Sequence, residues 1–335
     1  MIQVEDLYKY YGDRRAIGPV TTTIAKGEVV GLLGLNGAGK TTTLRVLACD
    51  LLPTSGMVRV DGYNVVEQPH EVRMRIGYLP DLPPLYGDMT VSEYLRYAAR
   101  LRGVPSREVD KRVQVAEELT ELGSERGRLI GALSHGYRQR VGIAQAIVHR
   151  PAFVVLDEPI SGLDPAQIVE MRSLVRSLRG EHTVVISSHI LSEISETCDR
   201  ILVIRDGTIV ASGTEAELAA SQRGMRVDVT VAGGGEGVAV RASALLGALP
   251  GVTAVEPVNL RDQSEDAVSF RVASDRDVRA ELCQALVRAN FGLLEVAHSE
   301  RELENIFLEL SSGPGGRSGR AHAPAPAVST TEASA

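Results

Sequence analysis

Apolar residues along this chain fall into two rhythms. Short β-branched runs at residues 2–8 (IQVEDLY), 20–24, 28–33 (EVVGLL) and 58–60 predict strands, with Tyr10, Tyr11 and Gly12 in a turn. Further runs at 76–79, 153–156 and 183–187 read the same way, and 201–204 with 208–211 predict a hairpin across Asp206 and Gly207. Between residues 82 and 150 the period lengthens. Val91, Tyr94, Leu95, Ala98 and Leu101 share one helical face behind a capping box of Thr90 and Glu93, so a helix is expected over 90–103. A second helix over 106–122 stops at Gly123, and a third runs from Leu133 to just before Pro151. The turn at 161–165 leads into a further helix that Gly180 closes.

The fold class expected is therefore α/β. It has a core of alternating strands and helices, an antiparallel β subdomain, and a helical subdomain inserted at about 82–150. The first domain is expected to occupy residues 1–222. Beyond it, residues 225–296 predict strand, helix, strand, strand, helix, strand, the order of a ferredoxin-like α+β domain. A short helix over 301–310 completes that accessory domain. Residues 311–335 are rich in Gly, Ser, Ala and Pro, can bury no core, and are expected to be a disordered tail.

Composition narrows the function classes. A hydrophobic content of 44% over 335 residues allows a large core. A formal net charge of -7 argues against nucleic-acid binding by charge alone, so no nucleic acid is expected as a partner. No run approaches the ~20 consecutive apolar residues of a membrane helix, and the opening MIQVEDLYKYYG has no apolar secretory segment. Cys49, Cys198 and Cys283 are far apart, as reduced thiols of a cytoplasmic protein would be.

One stretch carries explicit chemistry. Residues 34–41 read GLNGAGKT, a match to G-x-x-x-x-G-K-[ST], between an apolar strand and the helical run Thr42 to Leu47. That strand, loop and helix context is what a phosphate-binding loop requires. Gly34, Gly37 and Gly39 let the backbone turn so that N–H groups from Leu35, Asn36, Ala38 and their neighbours face a polyphosphate. The helix after the loop aims its N-terminal dipole at the same anion, with Thr42 in its first turn. Lys40 is placed to reach the β- and γ-phosphates of ATP, and the Thr41 hydroxyl to hold Mg2+.

The companions of this loop are more specific than the loop itself. Over residues 1–220 the chain resembles the ATP-binding subunit of an ATP-binding cassette (ABC) transporter, with six motifs in the family's order. The resemblance implies that Gly34 to Thr41 is Walker A and that Phe153 to Asp157 is Walker B. Asp157 would then bind magnesium and Glu158 would be the general base. Ser161 to Asp164 (SGLD) matches the D-loop, which crosses the dimer interface. His189 matches the switch histidine that contacts the γ-phosphate, and Tyr11 stands where the family stacks an aromatic ring on adenine.

Two positions depart from the family. Residues 133–137 read LSHGY where the signature is LSGGQ. Ser134 and Gly136 match and can still offer a helix N-terminus, a hydroxyl and N–H groups to ATP on the other subunit. His135 and Tyr137 differ. Asp81 stands where glutamine is usual; an acidic residue there, in IGYLPD, is similar to gliding-motility, drug and polysaccharide exporters. Asp81 is expected as a third metal contact.

The function the resemblance implies is ATP hydrolysis that drives export through a separate integral membrane permease. The chain would pair as a homodimer, or with another ABC subunit, around two ATP at the cytoplasmic face of the cell membrane. Rival readings are weaker. A translation or resistance factor of this superfamily usually carries two cassettes, and only one Walker A is present. A chromosome-maintenance ATPase would insert a long coiled coil between Lys40 and Ser134, and no long heptad run is there. A non-transport ATPase acting as an ATP-dependent switch is the remaining alternative.

Overall fold

A computed structural model describes residues 1–221, 225–233, 236–258 and 267–298. The helix expected at 301–310 and the tail at 311–335 lie outside the described residues.

The chain opens with two long strands, β1 (Ile2–Tyr11) and β2 (Arg14–Ile24), joined by a tight turn at Gly12 and Asp13. Tyr10 and Tyr11 are therefore strand residues, not turn residues, pairing with Arg15 and Arg14. Gly12, at φ 57°, takes the left-handed turn position instead. β3 (Val29–Leu33) leads through the glycine loop to α1 (Lys40–Leu47). Then come β4 (Ser55–Val60), β5 (Tyr63–Asn64), the short α2 (Pro69–Arg73) and β6 (Ile76–Leu79).

Three helices come next: α3 (Val91–Leu101), α4 (Val109–Leu119) and α5 (His135–Ile147). The capping box that starts α3 is formed. Glu93 N–H donates to Thr90 Oγ1 at 3.3 Å, and Thr90 N–H donates to Glu93 Oε2 at 2.9 Å. α4 is shorter than the sequence pattern suggests, because one 3-10 turn at Ser106–Glu108 precedes it and Glu121, at φ 57°, turns the backbone out of the helical path.

The alternation then resumes with β7 (Phe153–Leu156), α6 (Pro165–Ser177), β8 (Thr183–Ser188), α7 (Leu191–Ser195), β9 (Arg200–Arg205), β10 (Thr208–Gly213) and α8 (Glu215–Ser221). The three short helices α2, α7 and α8 have too few turns to show a period in the sequence.

A six-stranded sheet in the order β10-β9-β3-β8-β7-β6 forms the centre; all neighbours are parallel except the β9–β10 hairpin. Its parallel strands are buried on both faces, most completely β3, β7 and β8, which explains their continuous apolar runs. Val30 and Leu32 of β3, with Phe153 and Val155 of β7, pack towards α1 and the antiparallel sheet β2-β1-β4-β5. Val29, Leu33, Val154 and Leu156 pack against α3, α5 and α6 on the other face.

The C-terminal unit comprises β11 (Met225–Ala232), α9 (Glu236–Gly247), β12 (Val252–Val258), β13 (Ala267–Ser274), α10 (Arg279–Arg288) and β14 (Gly292–His298). Its sheet is fully antiparallel, ordered β12-β13-β11-β14, the ferredoxin-like pattern expected from the sequence. Val227, Val229, Phe270 and Val272 form its core with Leu246, Leu282 and Leu286 of the helices.

Candidate nucleotide site

The site is placed by strand direction. β3, β8 and β7 lie side by side and parallel, with Leu33 opposite Ser188 and Leu156 opposite Ile186. Their C-terminal ends therefore open on one edge, the place where parallel sheets bind ligands. The glycine loop leaves β3 there, Asp157 and Glu158 leave β7, His189 leaves β8, and Asp81 comes just after β6.

The loop is shaped by close approach. Gly39 sits at φ 107°, and a Cβ on it would come within 2.7 Å of Ile17 Cγ2. A Cβ on Gly34 would meet Ile204 at 2.7 Å. Side chains at these two positions would push the loop off the strands behind it. Lys40 folds back over the loop. Its Nζ donates to the Gly34 carbonyl at 2.8 Å and lies 3.1 Å from Glu158 Oε1. That side chain is only 6% exposed, so the ammonium is held by the pair and by loop carbonyls, not by water.

Glu158 is pinned from three sides. Its backbone adopts φ 48°, a strained conformation for a residue with a side chain. Its N–H donates to Ser187 Oγ at 2.9 Å, and His189 Nδ1 lies 3.0 Å from Oε2. The carboxylate can only accept, so Nδ1 carries the hydrogen. The two oxygens of the expected base are thus divided between Lys40 and His189.

Asp157 is buried. Ser187 Oγ donates to its Oδ1 at 2.6 Å, while Oδ2 has no hydrogen-bond partner. Burial pushes its carboxyl above the ordinary value; hydrogen bonds from Ser187 and Thr41 oppose that, and the charges of Glu158 and Asp81 add to it. A buried carboxylate oxygen without a donor, beside the Thr41 hydroxyl, fits a hard divalent cation. Among the described residues no three His, Cys, Asp or Glu side chains cluster to form a complete metal cage. Two protein ligands with phosphates and water suit Mg2+, which keeps part of its hydration shell.

Most of the expected site residues meet in one cleft of about 930 Å³. Leu35, Asn36, Gly37, Gly39, Lys40, Thr41, Thr42, Asp81, Glu158 and His189 line it, and Tyr11 stands at its rim. Tyr11 is 49% exposed, so it is not a core tyrosine. Gly34 and Ala38 support the loop from behind, Ala38 being buried. Asp157 faces a second groove of about 620 Å³ that shares Thr41 and Asp81 with the first. The exposed Leu82, Tyr86, Tyr97 and Leu101 flank that groove.

Ser134 and Gly136 line neither cleft. Ser134 caps α5, its Oγ accepting from Tyr137 N–H at 3.4 Å, and Gly136 packs against Gln167. The sequence pattern also missed some lining residues. Arg14, Arg15 and Asp206 join Tyr11 at the rim. The signal for the two arginines was their place directly across the hairpin from Tyr10 and Tyr11.

A phosphate loop whose lysine meets an acid from a parallel strand two places along the sheet defines a class, the P-loop nucleotide hydrolases. Similarity to known proteins makes it specific. The ABC transporter family matches residues 17–161. An uncharacterized ABC transporter ATP-binding protein of Bacillus subtilis (strain 168) is 38% identical over 223 residues, covering 67% of this chain and 74% of the relative. The daunorubicin resistance ATP-binding protein of Streptomyces coeruleorubidus is 33% identical over 311 residues, covering 92% and 95%. Among solved structures, a dimeric post-hydrolysis ATP-binding cassette bound to ADP and Pi superposes with a TM-score of 0.58 at 25% identity, covering 64% of this chain and 98% of that one. The chain belongs to the ATP-binding subunits of ABC transporters, and it is an ATPase.

Proposed function

We propose that this chain pairs with a second copy, or with another ABC subunit, around two ATP, and that hydrolysis drives export through a separate membrane permease. The observation that carries the pairing is the separation of the site's parts. Lys40, Thr41, Asp157, Glu158 and His189 converge on one edge of the sheet, whereas Ser134 and the start of α5 line neither cleft. A helix N-terminus with an exposed serine cap is complementary to phosphate held by another subunit. The names of the relatives, a drug-resistance protein among them, favour export. Among the described residues no helix is long and apolar enough to cross a membrane. In this reading the path for cargo lies in the permease, and this chain works at the cytoplasmic face.

Each side chain then has a task. Lys40 releases Glu158 when the γ-phosphate offers it a stronger charge. Glu158 accepts the proton of the attacking water, and His189 holds its other oxygen. Tyr11 offers its face to the adenine. Thr41 and Asp157 would hold Mg2+, which supplies charge neutralisation of the phosphates. Asp81 borders both the nucleotide cleft and the aromatic groove beside it, so it can relay permease contact at the groove to the phosphates.

Sedimentation of Glu158→Gln with ATP tests the reading: it should form a dimer, and Ser134→Arg in that background should remain a monomer that still binds ATP. An unchanged dimer in Ser134→Arg would remove the signature helix from the interface.

A further inference from the structure

His135, one of the departures from the family's signature, makes a contact that a glycine there cannot make. It opens α5 directly after Ser134, and its Nε2 lies 3.1 Å from the carbonyl oxygen of Ser161. A carbonyl only accepts, so Nε2 carries the hydrogen and donates it. The ring also lies against Gly162: a Cβ on that residue would be 3.5 Å from Nε2. Next along the helix, Gly136 abuts Gln167, whose N–H donates to Asp164 Oδ1 at 3.0 Å. The first turn of α5 is therefore seated on the 161–167 turn through two consecutive residues.

That turn belongs to the nucleotide cleft. Ser161 lines it, and Ser161 N–H reaches back to the carbonyl of Glu158 at 3.2 Å. A short chain of contacts thus runs from Ser134 through His135 and Ser161 to Glu158. In the paired reading its two ends serve different nucleotides.

We propose that His135 is a positioning residue that ties the signature helix to the turn carrying Glu158, so that ATP held by Ser134 in one site sets the base in the other. The inference rests on the paired reading above. The imidazole acts through the Ser161 carbonyl. Because His135 is exposed, the bond competes with water and contributes to placement more than to stability.

The test uses the full chain. His135→Ala should lower kcat about fivefold, the size of one hydrogen bond, with KM for ATP changed less than about twofold. Its Hill coefficient for ATP should fall towards one, and its melting temperature should stay at the wild-type value. His135→Gln, whose amide nitrogen reaches as far as Nε2, should recover most of kcat and of the cooperativity. Wild-type kcat and Hill coefficient in His135→Ala would overturn the role. So would a His135→Gln protein as impaired as His135→Ala, since packing and not the hydrogen bond would then matter. The pairing itself is read separately: a Glu158→Gln protein with native His135 that stays monomeric in ATP would overturn the paired reading. An ATP-bound dimer with unimpaired His135→Ala would overturn the inference about His135 alone.

Discussion

The central unit and the C-terminal four-stranded unit differ in how completely they satisfy their buried polar groups. In the C-terminal unit they close on each other. Thr230 and Ser269 hydroxyls pair at 2.8 Å, and Arg271 holds Asp228 through two bonds of 2.9 and 3.0 Å. In the central unit most do the same, as Ser188 does with Glu193 and Lys40 with Glu158, but a few buried atoms are left open. Among the described residues, the buried side-chain atoms without partners belong to Arg112, Gln139, His149, Asp157 and Arg172, all within residues 1–221. Strand direction explains part of the difference. Parallel strands bring their loops to one edge, where polar ends can face a common ligand; antiparallel strands distribute their loops to both edges. Of the open atoms, Asp157 Oδ2 is the one that stands at that sheet edge, beside the clefts, where it can meet a ligand.

The largest effect expected from this contrast is on turnover. Glu158→Gln should lower phosphate release by roughly 10²–10⁴-fold, the range of a positioned general base. ATP should bind at least as tightly, because Lys40 loses a charged competitor 3.1 Å away. Equilibrium nucleotide titration alongside the rate assay separates the two, and wild-type turnover would remove Glu158 from catalysis.

Next in size is a change in the closed sheet. Phe270 is fully buried in the C-terminal core, and Phe270→Ala should cost that unit about 3–5 kcal/mol. Calorimetry should show the loss while ATP affinity stays within about twofold, the scale of independent distant sites. A matching loss of ATP binding would mean that the two units are not energetically separate.

A smaller effect is expected at Asp81, which the central sheet presents to both clefts. Ionised aspartate offers only acceptors, so it suits the metal-water shell better than the phosphates. Asp81→Ala should leave ATP affinity within a few-fold, the scale of one lost hydrogen bond, and reduce the stimulation of ATPase that the proposed permease partner gives in lipid. Asp81→Gln should restore part of that stimulation. Undiminished stimulation in Asp81→Ala would show that the acid is a bystander, and a collapse of ATP binding would make it a primary ligand.

The smallest effect concerns His149, one of the side chains with an open buried atom. Its Nε2 donates to the Ile76 carbonyl at 3.2 Å, and Nδ1 is buried with no partner. Burial, and then the Arg102 charge, push its pKa from 6.5 down to about 4. Between those values the unfolded chain binds a proton that the folded chain refuses. Its contribution is therefore complete above pH 6.5 and disappears as the pH falls towards 4. His149→Gln should flatten the loss of stability between pH 7 and pH 5 by about 1 kcal/mol, discounted for partial exposure. Identical slopes in denaturant titrations of the two proteins would show that the ring titrates normally.

How much of the molecule is legible in the sequence depends on distance along the chain. The glycine loop, the Thr90 capping box, the acid pair after the Phe153 strand and the order of elements in the C-terminal unit are all local patterns. Strand period, helical period and turn residues are written within a few positions of one another, because the forces behind them act between near neighbours. Tyr11 is legible as a position but falls in a different element from the one its neighbours suggest. A two-residue turn moves the end of a strand by one pair, and register is decided by the partner strand.

The amino-acid sequence by itself determined the elements, the α/β class and the residue types needed to bind a polyphosphate. Only the tertiary structure decided which of them meet. Lys40 and Glu158 share a salt bridge because β8, later in the chain than both, lies between their strands. His135 reaches Ser161 because α5 and the turn after β7 come together on one side of that sheet. Sheet order is set by burial of whole faces, Val30 with Val155 on one side and Val29 with Val154 on the other. That burial is a property of the assembled layers, and no local window of sequence carries it.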